Sequence, residues 1–120
     1  MISNALKTIR QRITEAAQQF VRFPESIQLL AVSKARPVKD IITAFKNGQL
    51  RFGENYLQEA IPKIEALRDY SLEWHFIGPL QSNKTRLIAE NFDWVQSLDN
   101  ITHAQRLNEQ RPQNLSPLNV

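Results

Sequence analysis

A parallel α/β sheet, built from successive strand-helix units curling toward a (β/α) barrel, is the architecture this sequence predicts. Short apolar runs alternate with segments whose apolar residues recur every three or four positions, and the connections between them are brief. Strands and helices in strict alternation join through right-handed crossovers, which makes neighbouring strands parallel. Polar residues also fall again and again just after the apolar runs, where parallel α/β folds carry their binding groups.

The elements follow in order. Ile2, Leu6, Ile9, Ile13, Ala17 and Phe20 have the spacing of an amphipathic helix within residues 1–23, ended by Phe23-Pro24. A strand over about Ile27 to Ser33 comes next, and its unbroken run Leu29-Leu30-Ala31-Val32 suggests burial on both faces. Pro37 suits the first turn of a helix carrying Val38, Ile41, Ile42 and Phe45, with Gly48 as its stop. Leu50-Arg51-Phe52 reads as a second strand. Asn55 and Gln58 have capping-box spacing for a helix through Leu57, Ile61, Ile64 and Leu67, but Pro62 predicts a kink there or a start near Ala60. Glu73 to Ile77 forms a third strand closed by Gly78-Pro79, Leu87 and Ile88 mark a helix, and Trp94 to Leu98 a fourth strand. Asp99 or Asn100 caps a last helix through Leu107, and Leu118-Asn119-Val120 resembles the opening of a fifth strand. Four units and a fragment amount to about half of an eight-unit barrel of roughly 250 residues, so a truncated barrel forming a single partial domain over 1–120, its C-terminal half absent, is the expectation.

Composition narrows the function classes. The 120 residues are 42% hydrophobic and 22% charged, ordinary for one globular domain. With no cysteine there is no disulfide, thiolate metal site or thiol nucleophile. Fifteen basic against twelve acidic residues give a net charge of +3 without a one-sign block, so nucleic acid is not expected as a partner. No apolar stretch has membrane-spanning length and residues 1–20 lack a signal-peptide core, so a cytoplasmic protein without membrane contact is expected; Lys7, Arg10 and Arg12 ahead of Glu15 only faintly suggest a targeting segment.

Three polar sets fall at strand carboxyl ends: Lys34, then Gly53-Glu54-Asn55, then His75 with Gly78. By strand parity Leu30, Val32 and Lys34 share a face, which would set the amine over a barrel mouth. A lysine partly desolvated there is a nucleophile, whereas one that snorkels to the sheet rim is only structural. His75, between Trp74 and Phe76 and without a nearby partner ligand, makes a poor metal site. Glu54 could act as a base, but a surface cap is the plainer role. Gly78 to Thr85 nearly spells a phosphate loop, although Asn83 replaces its second glycine and Pro79 removes an amide.

Ala31-Val32-Ser33-Lys34, Phe52-Gly53-Glu54-Asn55-Tyr56 with Gln58-Glu59, and Trp74-His75-Phe76-Ile77-Gly78-Pro79-Leu80-Gln81-Ser82-Asn83-Lys84 together resemble the pyridoxal phosphate homeostasis protein family, in its N-terminal half. The resemblance implies an alanine-racemase-like barrel of fold type III with pyridoxal 5'-phosphate as cofactor, held as an internal aldimine on Lys34 with Asn55 and His75 close by. It implies a non-catalytic carrier that keeps the reactive aldehyde in balance, affects amino-acid and keto-acid metabolism, and meets cofactor-dependent apo-enzymes. The family's phosphate grip comes from late loops, so this segment alone is expected to bind the cofactor weakly and to associate through an exposed strand edge. Two alternatives stand beside it. One is a racemase-like enzyme, disfavoured because neither Tyr56 nor Tyr70 looks like a second proton-transfer group on the rim; the other is a nucleotide- or phosphate-binding module on Gly78 to Thr85.

Overall fold

The structure, a computed structural model, describes residues 1–120. Five helices and four strands run α1 (Ile2–Gln19), β1 (Ala31–Val32), α2 (Val38–Lys46), β2 (Arg51–Glu54), α3 (Leu57–Ala66), β3 (Glu73–Phe76), α4 (Thr85–Asn91), β4 (Trp94–Val95) and α5 (Ile101–Gln110). The strands form one parallel sheet in the order β1-β2-β3-β4. Parallel pairing follows from the alternation seen in the sequence, whereas the sequential strand order is set by the packing.

Register separates the two faces. Ala31, Phe52 and Trp74 stand level on one face, as do Glu54, Phe76 and Val95. This is the helix-covered face, and Phe52, Trp74, Phe76 and Val95 join Ile41, Leu57, Leu67, Ile88, Phe92 and Leu107 in the core. Burying each large side chain stabilises the fold by roughly 1.5–3 kcal/mol. Val32, Gly53, His75 and Trp94 stand level on the opposite face. Val32 there is 50% exposed, which corrects the expectation of a first strand buried on both sides.

Termini of elements show where local chemistry held. Gly48, at φ +88°, ends α2: its amide donates to the Phe45 carbonyl and that of Gln49 to the Ala44 carbonyl, the paired bonds of a Schellman stop. Asn100 caps α5 by accepting from the His103 amide at 2.8 Å. Elsewhere tertiary structure prevailed. The first helix stops at Gln19, and Phe20 and Phe23 beyond it are exposed. Helix α3 begins at Leu57 and runs through Pro62, with no side-chain cap from Asn55. The proline removes only the bond to the Gln58 carbonyl, and both residues are exposed, which keeps the cost of the lost bond low. Strands β1 and β4 are each two residues long, shorter than their apolar runs. Asn119 forms a single parallel bridge to Trp94, so the expected fifth strand is present only as its first rung.

Candidate functional site

The carboxyl ends of β1, β2 and β3 lie side by side, so the turns that follow them share one rim. The last ladder bond at the β1 edge runs from the Ser33 amide to the Gly53 carbonyl at 2.9 Å, and Lys34 follows directly. Lys34 is exposed, and its amine enters no hydrogen bond or ion pair. The desolvation expected at a strand tip is therefore not found. Ala35 next to it sits at φ +59°, a left-handed conformation that costs a non-glycine residue roughly 1–2 kcal/mol.

A buried ionic cluster holds this turn. Lys63, on α3, donates to the Ser33 carbonyl at 2.8 Å, to Glu54 Oε2 at 3.0 Å and to Glu59 Oε1 at 2.8 Å, which uses all three ammonium donors. The Ser33 hydroxyl also donates to Glu54 Oε2, and the Ala35 amide donates to Glu59 Oε1. Glu54 is fully buried, so the surface-cap reading of this residue is corrected. The hydrogen bond from Lys63, then that from the Ala35 amide, holds the Glu59 carboxyl below the usual carboxylate range.

Asn55 follows β2, half-buried, and its Oδ1 is buried without a hydrogen-bond partner. Gly78 lets the third rim turn approach the second: a Cβ there would lie 2.5 Å from the Asn55 carbonyl oxygen. His75 lies one step deeper on the open face. Its ring stacks on Trp94 with centroids 5.4 Å apart, its Nδ1 meets Gln96 Nε2 at 3.0 Å, and its Nε2 is 3.3 Å from Glu73 Oε1, short of an aligned hydrogen bond. Glu73 pairs across the strands with Arg51 at 3.0 Å. Burial pushes the His75 pKa down, and Glu73 opposes this only partly, so the ring is neutral at neutral pH. No group of three His, Cys, Asp or Glu side chains is placed to hold a metal ion.

Two expectations for the neighbouring loops change. Thr85, which a phosphate loop would offer to a metal, is fully buried; its hydroxyl donates to the Ser82 carbonyl and accepts from Arg106. The segment closes into a short turn locked to α5, and the nucleotide-loop reading falls with it. Tyr56, judged off the rim, belongs to the turn after β2, 66% exposed at the start of α3, but on its outer side and not opposite Lys34. It lines an outer crevice with Gln58, Phe76 and Lys84, between α3 and α4.

Lys63 is the member of this site that sequence reasoning missed. Its only signal was the four-residue spacing from Glu59, a pattern usual on solvated helix faces.

Fold and rim together define a parallel α/β protein whose polar side chains gather at the strand carboxyl ends, the place where such folds hold ligands, with a free amine among them. The chain is homologous to the pyridoxal phosphate homeostasis proteins. It is 55% identical over 121 residues to the one from Pasteurella multocida, covering 99% of this chain and 52% of that protein. It is 52% identical over 122 residues to that of Escherichia coli K12, with 99% and 52% covered. Among solved structures, PipY of Synechococcus elongatus PCC7942 with PLP bound superposes with a TM-score of 0.78 at 41% identity, covering 92% of this chain and 48% of PipY. The chain thus spans about half the length of the relatives it matches. No protein-family model matches it.

Proposed function

We propose that this chain binds pyridoxal 5'-phosphate through Lys34, and that it serves to keep the cofactor in balance without turning over a substrate. The observation that carries the reading is a free lysine amine at the sheet's rim, in a chain homologous over its length to proteins named for pyridoxal phosphate homeostasis. The residues present fit the group. Lys34 is unencumbered, Asn55 offers a buried acceptor without a partner, and His75 presents a neutral, oriented ring on the same face of the sheet. Bound cofactor supplies an aldehyde that condenses reversibly with primary amines. Lys34 would hold the group, Asn55 and His75 would orient it, and the Gly78 turn would wall the rim.

The sheet is read as an arc of a barrel. Its strands run in sequential order, its helices cover one face, and the opposite face carries side chains in level rows, as barrel interiors do. Residues gripping the phosphate are assigned to the half of the barrel that the relatives possess and this segment does not span. Apo-enzymes needing the cofactor are the partners this role implies. No helix is long and apolar enough to cross a membrane, and a cytoplasmic setting suits the role.

The test is incubation with pyridoxal 5'-phosphate, borohydride reduction and peptide mapping. A tag concentrated on Lys34 is expected. Tags distributed evenly over exposed lysines such as Lys39 and Lys46 would overturn the assignment.

A further inference from the structure

We propose that Lys63 and Glu59, acting with Glu54, are positioning residues that lock the turn presenting Lys34. The inference rests on the reading of Lys34 as the cofactor lysine and deepens it, since the three are assigned to hold the Lys34 turn and not to contact the cofactor. Lys34 is held by neither its own side chain nor a long strand: β1 is two residues long and forms the sheet's edge. The direction of its side chain is set by the backbone of Ser33 and Ala35 on either side.

Both neighbours are tied to one cluster. Ser33 gives its carbonyl to Lys63 and its hydroxyl to Glu54, while Ala35 gives its amide to Glu59. Lys63 connects the two carboxylates, at 3.0 Å and 2.8 Å. Two negative charges and one positive therefore converge on three consecutive residues whose middle member is the free amine. A surface turn needs no such arrangement. Removing Glu54 and Lys63 from water is costly, and a buried pair often adds little stability over apolar residues of the same shape, so its distinctive effect is to fix one conformation. What it fixes here is a left-handed alanine that would otherwise relax.

Anchorage on α3 has a second consequence. Glu59 and Lys63 stand four residues apart on the helix that follows Asn55, so the cluster sets the Lys34 turn against the element that begins beside Asn55. The spacing between the two proposed cofactor contacts is thereby fixed by a helix turn, not by a flexible edge.

Glu59→Ala, Glu59→Gln and Lys63→Met are compared with the unaltered chain by two readouts, hydrogen exchange of the Ala35 amide and the share of borohydride-trapped pyridoxal label at Lys34. Glu59→Gln keeps an acceptor for Ala35 and is the rescue variant. The expected result is at least tenfold faster Ala35 exchange and a several-fold smaller Lys34 share in Glu59→Ala and Lys63→Met, with both largely restored in Glu59→Gln. Far-UV circular dichroism confirms folding, and if Lys63→Met does not fold, the Glu54→Gln/Lys63→Met pair removes both buried charges together and is read the same way. Unchanged Ala35 exchange in Glu59→Ala overturns the lock. Faster exchange with an unaltered Lys34 share overturns positioning. Scattered label in the unaltered chain, with Ala35 protected, instead overturns the cofactor reading and the positioning role that depends on it.

Discussion

Replacing Gly78 with alanine would place a methyl group 2.5 Å from the Asn55 carbonyl oxygen and 3.1 Å from both its carbonyl carbon and its Cα. All three are backbone atoms, so no side chain can rotate away. The two turns are also tied down, because the Ile77 amide donates to the Glu54 carbonyl at 2.9 Å and Ser97 donates to the Gly78 carbonyl. One rim turn must shift against the other, and overpacking of this kind costs about 1–3 kcal/mol. For a chain of this size that lowers Tm by about 4–15 °C. Gly53→Ala is the control, because the three atoms nearest its Cβ would be side-chain atoms, two of Ile77 at 3.3 and 3.5 Å and Leu30 Cδ2 at 3.5 Å, which can yield. We expect it to cost less than about 1 kcal/mol. Thermal and urea unfolding of both variants decides the matter. If Gly78→Ala melts within a degree of the unaltered chain, or Gly53→Ala costs more, the close approach of the two turns is not rigid.

Lys34→Ala should leave stability within about 0.5 kcal/mol, because the side chain is exposed and unpaired. It should also abolish selective pyridoxal labelling; a stability loss above 1 kcal/mol by urea unfolding would show a packing role instead. Ile88→Ala empties a fully buried core position, and a loss of about 2–5 kcal/mol in the same assay is expected. His75 has a folded pKa below its ordinary 6.5, so the unfolded chain takes up the proton first as pH falls. Its contribution is intact above pH 6.5 and declines as pH drops from there toward the folded pKa. Unfolding free energies at pH 7.5 and 5.5 should differ less in His75→Gln than in the unaltered chain, and an equal difference would contradict the buried neutral ring. Glu59 shifts stability with pH in the same direction for a different reason, its charged form being the one the fold favours: its lowered pKa gives stability present above pH 4.5 and lost as pH falls below it, and Glu59→Gln should remove that acid limb.

Alternating apolar runs and helical spacings were enough to give four parallel strands, because hydrophobic period and short connections are local properties of a chain, whereas the order of the strands in the sheet is not. The Gly48 stop and the Asn100 cap were legible for the same reason. Sequence also placed Lys34 and Asn55 near one rim, since each follows an apolar run, whereas His75, inside the third strand, was assigned a place beside the cofactor only by the family resemblance. Other features depended on partners distant along the chain. Glu54 and Lys63 gave no sign of pairing, since a carboxylate beside a turn and a lysine on a proline-containing helix are each ordinary surface residues until β1 and α3 meet across them. Tyr56 and Thr85 likewise changed role once the loops were folded onto their neighbours.

The alternation of elements, their parallel polarity and the rim position of Lys34 and Asn55 were thus legible in the sequence alone, through burial patterns read a few residues at a time. Only the tertiary structure decided which strand face stays open, how tightly the rim turns approach at Gly78, and what holds the lysine turn. Those depend on where charges and backbone atoms from separate elements converge, and electrostatic pairing in a buried place is a property of three-dimensional proximity that local spacing does not encode.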